Sequence, residues 1–332
     1  SMRLIDKLQS LFILAAIAIG LALGQVNGVA ARADSMIMPF LMIMLTVVFL
    51  HITLRGFGDA FRHMRFTRLS LGINFLWTPV FAWLLGLLFL RNTPDIWVGF
   101  LMLLVTPCTD WYLVFTQMAR GNVHLGATLL PWHILLQLLL LPIYLFIFAG
   151  AVVPLSPQIL LQSVGLVLLI PLLTASALRM ALTARFGKLW LETAFLPKVA
   201  PLQIIFLCMA IGAMFASQGS AIQERPELIG VLLLPLGIFY MSNLALGLLA
   251  GRAAGLDYAA CTSLCFATIA RNSPVALAVA VAAFPQRPLI ALALAIGPLL
   301  ELPVLAAISQ LLQHLPKWIP SLTIPRPTSQ SR

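Results

Sequence analysis

Two stretches of sequence decide the fold: Leu104-Val105-Thr106-Pro107-Cys108-Thr109-Asp110-Trp111 and Thr268-Ile269-Ala270-Arg271-Asn272-Ser273-Pro274-Val275. Each lies inside a long apolar segment and sets a proline beside small polar residues and one formal charge. Proline removes one helical hydrogen bond and clashes with the preceding turn, so both stretches predict a broken helix. At membrane depth, such breaks are tolerated only where they are buried in protein or line a cavity. The two stretches therefore predict a binding site.

The composition indicates a membrane protein. Of the 332 residues, 61% are apolar and 9% are charged, and the mean hydropathy is +1.03. A water-soluble domain could not cover its surface with so few charges. The apolar stretch from Leu11 to Gly24 is not followed by the small-residue cleavage site of a signal peptide, so it is interpreted as the first membrane helix.

The length of the apolar runs predicts the number of spans, because a helix needs roughly 20 apolar residues to cross roughly 30 Å of hydrocarbon. The prediction is an all-α membrane protein with ten transmembrane helices. The segments fall at about 9–25, 36–54, 69–90, 95–118, 124–150, 157–180, 196–217, 228–250, 256–284 and 288–313.

The basic residues agree with ten spans. With the N-terminus in the cytoplasm, most of the 20 Lys and Arg residues fall on the cytoplasmic side, and the outside keeps only Arg32, Arg91, Arg225 and Arg287. We therefore expect a multi-pass protein of the inner (plasma) membrane with both termini in the cytoplasm. The net charge of +10 is an orientation signal, and no nucleic-acid partner is expected.

Ten helices divide into two groups of five, and the second group is then inserted upside down relative to the first. A faint internal repeat supports this plan, since Leu71-Gly72-Ile73-Asn74-Phe75 recurs as Leu236-Gly237-Ile238-Phe239-Tyr240 at an offset of 165. The predicted units are a first five-helix repeat, an inverted second repeat and a cytoplasmic tail, at 1–150, 151–316 and 317–332.

Three charged residues fall inside the apolar segments. A charge at the membrane centre costs about 2.5–3.5 kcal/mol, so Asp110, Arg271 and Glu301 need partners or a watery cavity. Asp110 and Arg271 suit each other, either as a structural ion pair that locks two helices or as a pair that the substrate competes for. Glu301 suits either a coupling-proton site or a hydrogen-bonded core carboxyl.

Motifs in both halves carry a family resemblance. They are Leu71-Gly72-Ile73-Asn74-Phe75-Leu76, Pro107-Cys108-Thr109, Ala119-Arg120-Gly121-Asn122, Gly255-Leu256-Asp257-Tyr258 and Ile296-Gly297-Pro298-Leu299-Leu300-Glu301-Leu302-Pro303-Val304-Leu305. Together they resemble the arsenite-efflux permeases of the bile acid:sodium symporter superfamily, over about residues 36 to 313. The resemblance implies a panel domain and a core domain, with discontinuous helices 4 and 9 crossing behind the substrate cavity. It also implies that Cys108 is the family's functional cysteine and Glu301 its carboxylate.

One departure from the family pattern concerns segment nine. These permeases usually carry Asn-Asn-x-Glu there, and the sodium-coupled relatives use a glutamate as a sodium ligand; this chain has Arg271-Asn272-Ser273-Pro274. Sodium is a hard cation that prefers oxygen ligands, and a nearby guanidinium would repel it, which argues against sodium coupling at this place. We hypothesise that Arg271 is a built-in cation, which either replaces a coupling ion or contacts an anionic substrate.

The cysteines admit two interpretations. Trivalent arsenic prefers sulfur, and Cys108 lies at a predicted break, while Cys261 and Cys265 share one helix face. Free cysteine is also an ordinary small buried residue. The spacings match no zinc, redox or disulfide motif, and no cofactor is expected.

The paired breaks favour a secondary transporter. No spacing resembles a zinc-hydrolase motif or a serine dyad, so we expect no enzyme. The resemblance favours export of arsenite or antimonite driven by protons, and the alternative is a small organic anion whose carboxylate pairs with Arg271. The expected partners are the substrate, the proton and the lipid bilayer, and the oligomeric state is left open. The candidate substrate- and ion-binding residues are Asn74, Cys108, Thr109, Asp110, Arg271, Asn272, Ser273 and Glu301.

Overall fold

The computed structural model describes residues 4–26, 28–51, 60–109, 111–153, 157–224 and 227–318. Within these ranges the chain is helical and contains no β-strand. Most of the predicted cytoplasmic tail, from residue 319 onward, lies outside the described residues.

The described helices overlap the predicted segments, and segments four and nine each contain two helices. Seven of the described helices, α2, α3, α6, α7, α8, α9 and α12, are long and apolar enough to cross a membrane. The ten-helix count as inverted repeats stays a prediction. Numbered in chain order, the helices are α1 (Leu4–Gly24), α2 (Val29–His51), α3 (Met64–Phe89), α4 (Pro94–Leu104), α5 (Trp111–Met118), α6 (Val123–Ala149), α7 (Pro157–Phe186), α8 (188–224), α9 (Glu227–Ala253), α10 (Tyr258–Ile269), α11 (Ser273–Ala283) and α12 (Pro288–Trp318).

Both predicted breaks are confirmed. Segment four is interrupted between α4 and α5, and segment nine between α10 and α11. At each break a threonine hydroxyl donates a hydrogen bond to the last turn of the first half-helix: Thr106 Oγ1 to the Met102 carbonyl and Thr268 Oγ1 to the Leu264 carbonyl, both at 2.9 Å. Pro274 stands in the first turn of α11, where a missing N–H costs nothing. It therefore starts the second half-helix and does not itself interrupt the first.

The helices pack around the breaks in two sets of close contacts, which α7 and α2 join by packing on α11. In the first set α8 packs along α1 and α2, and α7 packs on α2. In the second set α10 packs on α9, while α4 and α11 pack on α12. Helices α1 and α8 touch through their backbones, since a Cβ added at Gly20 would lie 2.3 Å from the carbonyl oxygen of Gly212. Small residues at this contact are typical of membrane helix pairs.

Polar contacts join helix ends that the predicted alternation assigns to the same side of the membrane. Arg287, just before α12, forms a 2.7 Å ion pair with Asp95 at the start of α4. At the opposite side, the Tyr258 hydroxyl lies 2.9 Å from the carbonyls of both Ala119 and Leu312. The relative directions of these helices are thereby consistent with the alternation, and which side faces the cytoplasm stays a prediction.

Candidate substrate site at the paired helix breaks

The two breaks pair with each other as a fragment of antiparallel sheet centred on Pro107 and Arg271. The amide N–H of Cys108 donates to the Ala270 carbonyl at 3.0 Å, and a 2.7 Å bond runs from the amide of Asn272 back to the first break. Backbone groups released by one broken helix are therefore satisfied by the other. This pairing makes two adjacent breaks compatible with the interior of a membrane protein.

The pairing also places the C-terminal ends of the half-helices on one side and their N-terminal ends on the other. The C-terminal ends of α4 and α10 both lie at the Arg271 side chain, where the carbonyls of Leu104 and Ile269 accept hydrogen bonds. Trp111 and Ser273, the first residues of α5 and α11, both line a cleft. Helix C-termini carry partial negative charge and N-termini partial positive charge. Negative ends therefore face the guanidinium, while positive ends face the cleft.

The Arg271 guanidinium is held in a cage of oxygen atoms. The residue is 3% exposed. Its Nη1 donates to the Leu104 carbonyl at 2.8 Å and its Nε to the Ile269 carbonyl at 3.1 Å. Its Nη2 donates to the Thr268 carbonyl and, at 2.9 Å, to Oδ1 of Asn74. We call these four oxygens the Arg271 cage.

Asn74 supports this cage from α3 and does not line the cleft. It is fully buried, and its Nδ2 donates to the Ala267 carbonyl at 2.8 Å. The same Nδ2 lies 3.4 Å from Nε2 of His133, whose Nδ1 lies 3.1 Å from the carbonyl oxygen of Cys108. Asn74 and His133 thus connect the cage to the backbone of the first break.

The cleft gathers six of the predicted site residues. The cleft is narrow and partly open to solvent. Its remaining lining includes Val48, Gln203 and Pro298, which sequence reasoning did not single out. Gln203 carried a usable signal, since it is an amide within an apolar membrane segment. The predicted residues that line the cleft are Cys108, Thr109, Arg271, Asn272, Ser273 and Glu301.

Side chains in the cleft also secure the second break. Asn272 caps α11 by accepting the amide N–H of Val275 at 3.2 Å, and its Nδ2 donates to Oγ1 of Thr109 at 3.1 Å. The hydroxyl of Ser273 donates to the Leu294 carbonyl of α12 at 2.6 Å. Asn272 therefore links the two breaks through both its backbone and its side chain, whereas Ser273 anchors α11 to α12.

Glu301 brings a buried carboxyl to the cleft from α12. It is 5% exposed, and its Oε1 accepts the backbone N–H of Arg271 at 2.7 Å. Asp110, the expected partner of Arg271, lies outside the described residues, so that pairing stays a prediction. In the described part of the chain, the guanidinium donates to oxygens of a different kind, which belong to backbone carbonyls and to the Asn74 amide.

The paired cysteines of segment nine lie away from the cleft, between α9 and α10. A Cβ added at Gly251 would lie 2.7 Å from the sulfur of Cys261, and one added at Gly247 would lie 3.0 Å from the sulfur of Cys265. Both thiols therefore fill the groove left by these glycines, which is the ordinary packing role of cysteine. Across the described ranges, no three His, Cys, Asp or Glu side chains come together as a metal site.

Several membrane-length helices and two broken helices paired beside a cleft are typical of a multi-pass membrane transporter. The comparisons with known proteins indicate the same class, a transporter and not an enzyme. The model of the Sodium Bile acid symporter family matches residues 38–225, and the chain belongs to this family. It is 30% identical over 277 residues to the Arsenical-resistance protein Acr3 of Corynebacterium glutamicum. The match covers 79% of this chain and 75% of that protein. These matches confirm the family predicted from the motifs.

A second relative is an uncharacterized transporter of Synechocystis sp. The identity is 25% over 223 residues, and the match covers 67% of this chain and 58% of that protein.

Proposed function

We propose that this protein exports arsenite or antimonite and couples the export to the proton gradient. The observation that carries the proposal is the position of Cys108, which lines the cleft at the junction of the paired breaks. Thiolates are soft ligands that suit trivalent arsenic and antimony. The 30% identity to a protein named for arsenical resistance supports the same substrate class.

A single thiol suits transport better than a cluster of thiols. Among the described cleft residues Cys108 is the one cysteine, since Cys261 and Cys265 pack between α9 and α10. Three sulfur ligands would hold arsenic tightly and slow its release. One sulfur contact, supported by hydrogen bonds from groups such as Thr109 and Asn272, gives weaker and reversible binding. Weak binding allows the substrate to leave at the far side.

Glu301 is the proposed proton carrier. Its carboxyl lines the cleft beside Arg271, so its charge state acts on the same space as the substrate. We expect Glu301 to take up a proton when the site faces outward and to release it when the site faces the cytoplasm. Asp110, which adjoins the first break in sequence, is a second candidate carboxyl. Exchange of a proton for the substrate would then drive export.

The alternative substrate, a small organic anion, would need the Arg271 guanidinium to face the cleft. The guanidinium instead donates to the oxygens of its cage, including the carbonyls of Leu104 and Ile269. A carboxylate would have to displace these bonds before it could pair with the guanidinium. The geometry therefore favours the metalloid over the organic anion.

Counterflow in proteoliposomes tests the substrate. Vesicles preloaded with arsenite should accumulate labelled arsenite, and the variant Cys108→Ser should reduce this exchange by at least about tenfold. Cys265→Ser is the matched control, because it removes a buried thiol away from the cleft and should retain exchange. Full exchange in Cys108→Ser would contradict the proposal. So would exchange of small carboxylates without exchange of arsenite.

Glu301→Gln tests the proton coupling. This change should abolish flux driven by a pH gradient while arsenite exchange at equal pH on both sides continues, because exchange needs no net proton movement. The double variant with Asp110→Asn covers the second carboxyl. Undiminished pH-driven flux in the double variant would show that neither carboxyl carries the proton.

A further inference from the structure

The Arg271 cage has the composition of a cation site. Its oxygens belong to Leu104, Thr268, Ile269 and Asn74, and together they surround one positive charge. We propose that these oxygens form a cation-binding site that the side chain of Arg271 fills permanently, so that the fold requires no inorganic cation. Removing the side chain would open this site to a small free cation such as guanidinium or sodium.

The charge balance supports this proposal. Each helix C-terminus is equivalent to about half a negative elementary charge, and the ends of α4 and α10 both meet the guanidinium. Two such ends together supply about one negative charge, which matches the single positive charge of Arg271. Crossing two broken helices in this way would concentrate negative partial charge if no cation were present. The guanidinium therefore offsets the negative partial charge that the two helix ends bring together.

The hydrogen-bond balance leads to the same result. The last carbonyls of a helix have no intrahelical donor and need another partner when they are buried. The carbonyls of Leu104 and Ile269 belong to this class, and the guanidinium donates to both. Without it, oxygens at the end of each half-helix would lose a charged donor in a buried place.

One edge and one face of the planar guanidinium have matching partners. The ring centroid of Phe239 lies 5.0 Å from Cζ of Arg271, at a cation-π distance. The sequence offset of 165 pairs Phe239 with Asn74, so corresponding positions of the two halves contact the same group. One contacts its edge through a hydrogen bond, and the other contacts its face through an aromatic ring.

Thermal unfolding of the purified full-length protein in detergent tests the proposal without any substrate. The melting temperature of the wild type should not change when choline is replaced by sodium. Arg271→Ala should melt lower and should recover saturably on addition of N-ethylguanidinium or sodium. Arg287→Ala is the matched control, because Arg287 pairs with Asp95 at a half-exposed site and leaves no buried cage. It should show no recovery.

The outcomes separate clearly. Absence of recovery with either cation, or stabilisation of the wild type by sodium, would overturn the proposal. If Arg271→Ala does not fold, the pair Arg271→Lys and Arg271→Gln replaces it, since lysine keeps the charge and glutamine removes it. The lysine variant should yield more folded protein and a higher melting temperature, and equal values would overturn the cation requirement. Because these readouts involve no arsenite, they remain valid if the proposed substrate is wrong.

Discussion

Replacing Asn74 by alanine is expected to destabilise the pairing of the two broken helices. Asn74 is fully buried, its Oδ1 accepts a 2.9 Å bond from the Arg271 guanidinium, and its Nδ2 donates a 2.8 Å bond to the Ala267 carbonyl. Asn74→Ala removes both bonds at once. It leaves a buried charged donor and a buried carbonyl without these partners.

The magnitude follows from the type of each bond. A hydrogen bond to a charged group contributes about 1.5–3 kcal/mol and a neutral one about 0.5–1.5 kcal/mol. Hydrogen bonds between membrane helices contribute less, about 0.6 kcal/mol on average, because the unfolded chain in the membrane also finds partners. Between these limits, we expect Asn74→Ala to lower the free energy of unfolding by about 2–4 kcal/mol.

Asn243 provides a matched control on α9. It is fully buried, donates a 2.8 Å bond to the Thr268 carbonyl and accepts a 3.2 Å bond from the indole of Trp77. Both of these partners are neutral, and the Thr268 carbonyl, which is also a cage oxygen, keeps its bond from the guanidinium in Asn243→Ala. Asn243→Ala should therefore cost about 1–2 kcal/mol, and the excess cost of Asn74→Ala isolates the bond to the guanidinium.

The assay is reversible unfolding of the purified variants in mixed micelles of dodecyl maltoside and sodium dodecyl sulfate, followed by circular dichroism. Equal or smaller destabilisation by Asn74→Ala than by Asn243→Ala would refute the importance of the charged bond. Combining Asn74→Ala with Arg271→Ala gives a second check. The double variant should lose less than the sum of the two single losses, because the single variants remove the same bond.

Two further predictions use the same unfolding assay. Gly20→Ala should destabilise the protein by about 1–3 kcal/mol, because its Cβ would lie 2.3 Å from the Gly212 carbonyl oxygen. The control Gly72→Ala, with nothing within 4 Å of the added Cβ, should stabilise it by up to about 1 kcal/mol, and equal effects would contradict this packing. Tyr144→Phe should lower the free energy of unfolding by about 1 kcal/mol, because the hydroxyl donates a 2.6 Å bond to the buried Phe75 carbonyl in the π-helical turn Ile73–Trp77 of α3. An unchanged free energy of unfolding would show that another donor replaces it.

Local sequence was sufficient to predict the breaks but not their contacts. Proline beside polar residues predicted the interruptions, and six of the eight candidate site residues line one cleft. The direction of the Arg271 side chain could not be predicted, since Leu104 and Asn74 are distant in sequence and come to it only through tertiary packing. Sequence reasoning named only Asp110, a residue with formal charge, as the partner of Arg271, and that pairing stays a prediction because Asp110 lies outside the described residues. Carbonyls at helix ends carry only partial charges, and the tertiary packing of the helices, which the sequence does not give, sets their positions.

Arg271 links the cage to the cleft, since its side chain occupies the cage and its backbone N–H donates to Glu301. This arrangement connects the two proposals physically. A coupling ion must leave its site in each transport cycle, and a cation attached to the chain cannot leave. A permanently filled cage therefore cannot supply the driving force for transport, and the proposed function gives that role to a group whose charge can change. Glu301 is such a group at the same junction, so wild-type flux should follow the pH gradient and ignore sodium.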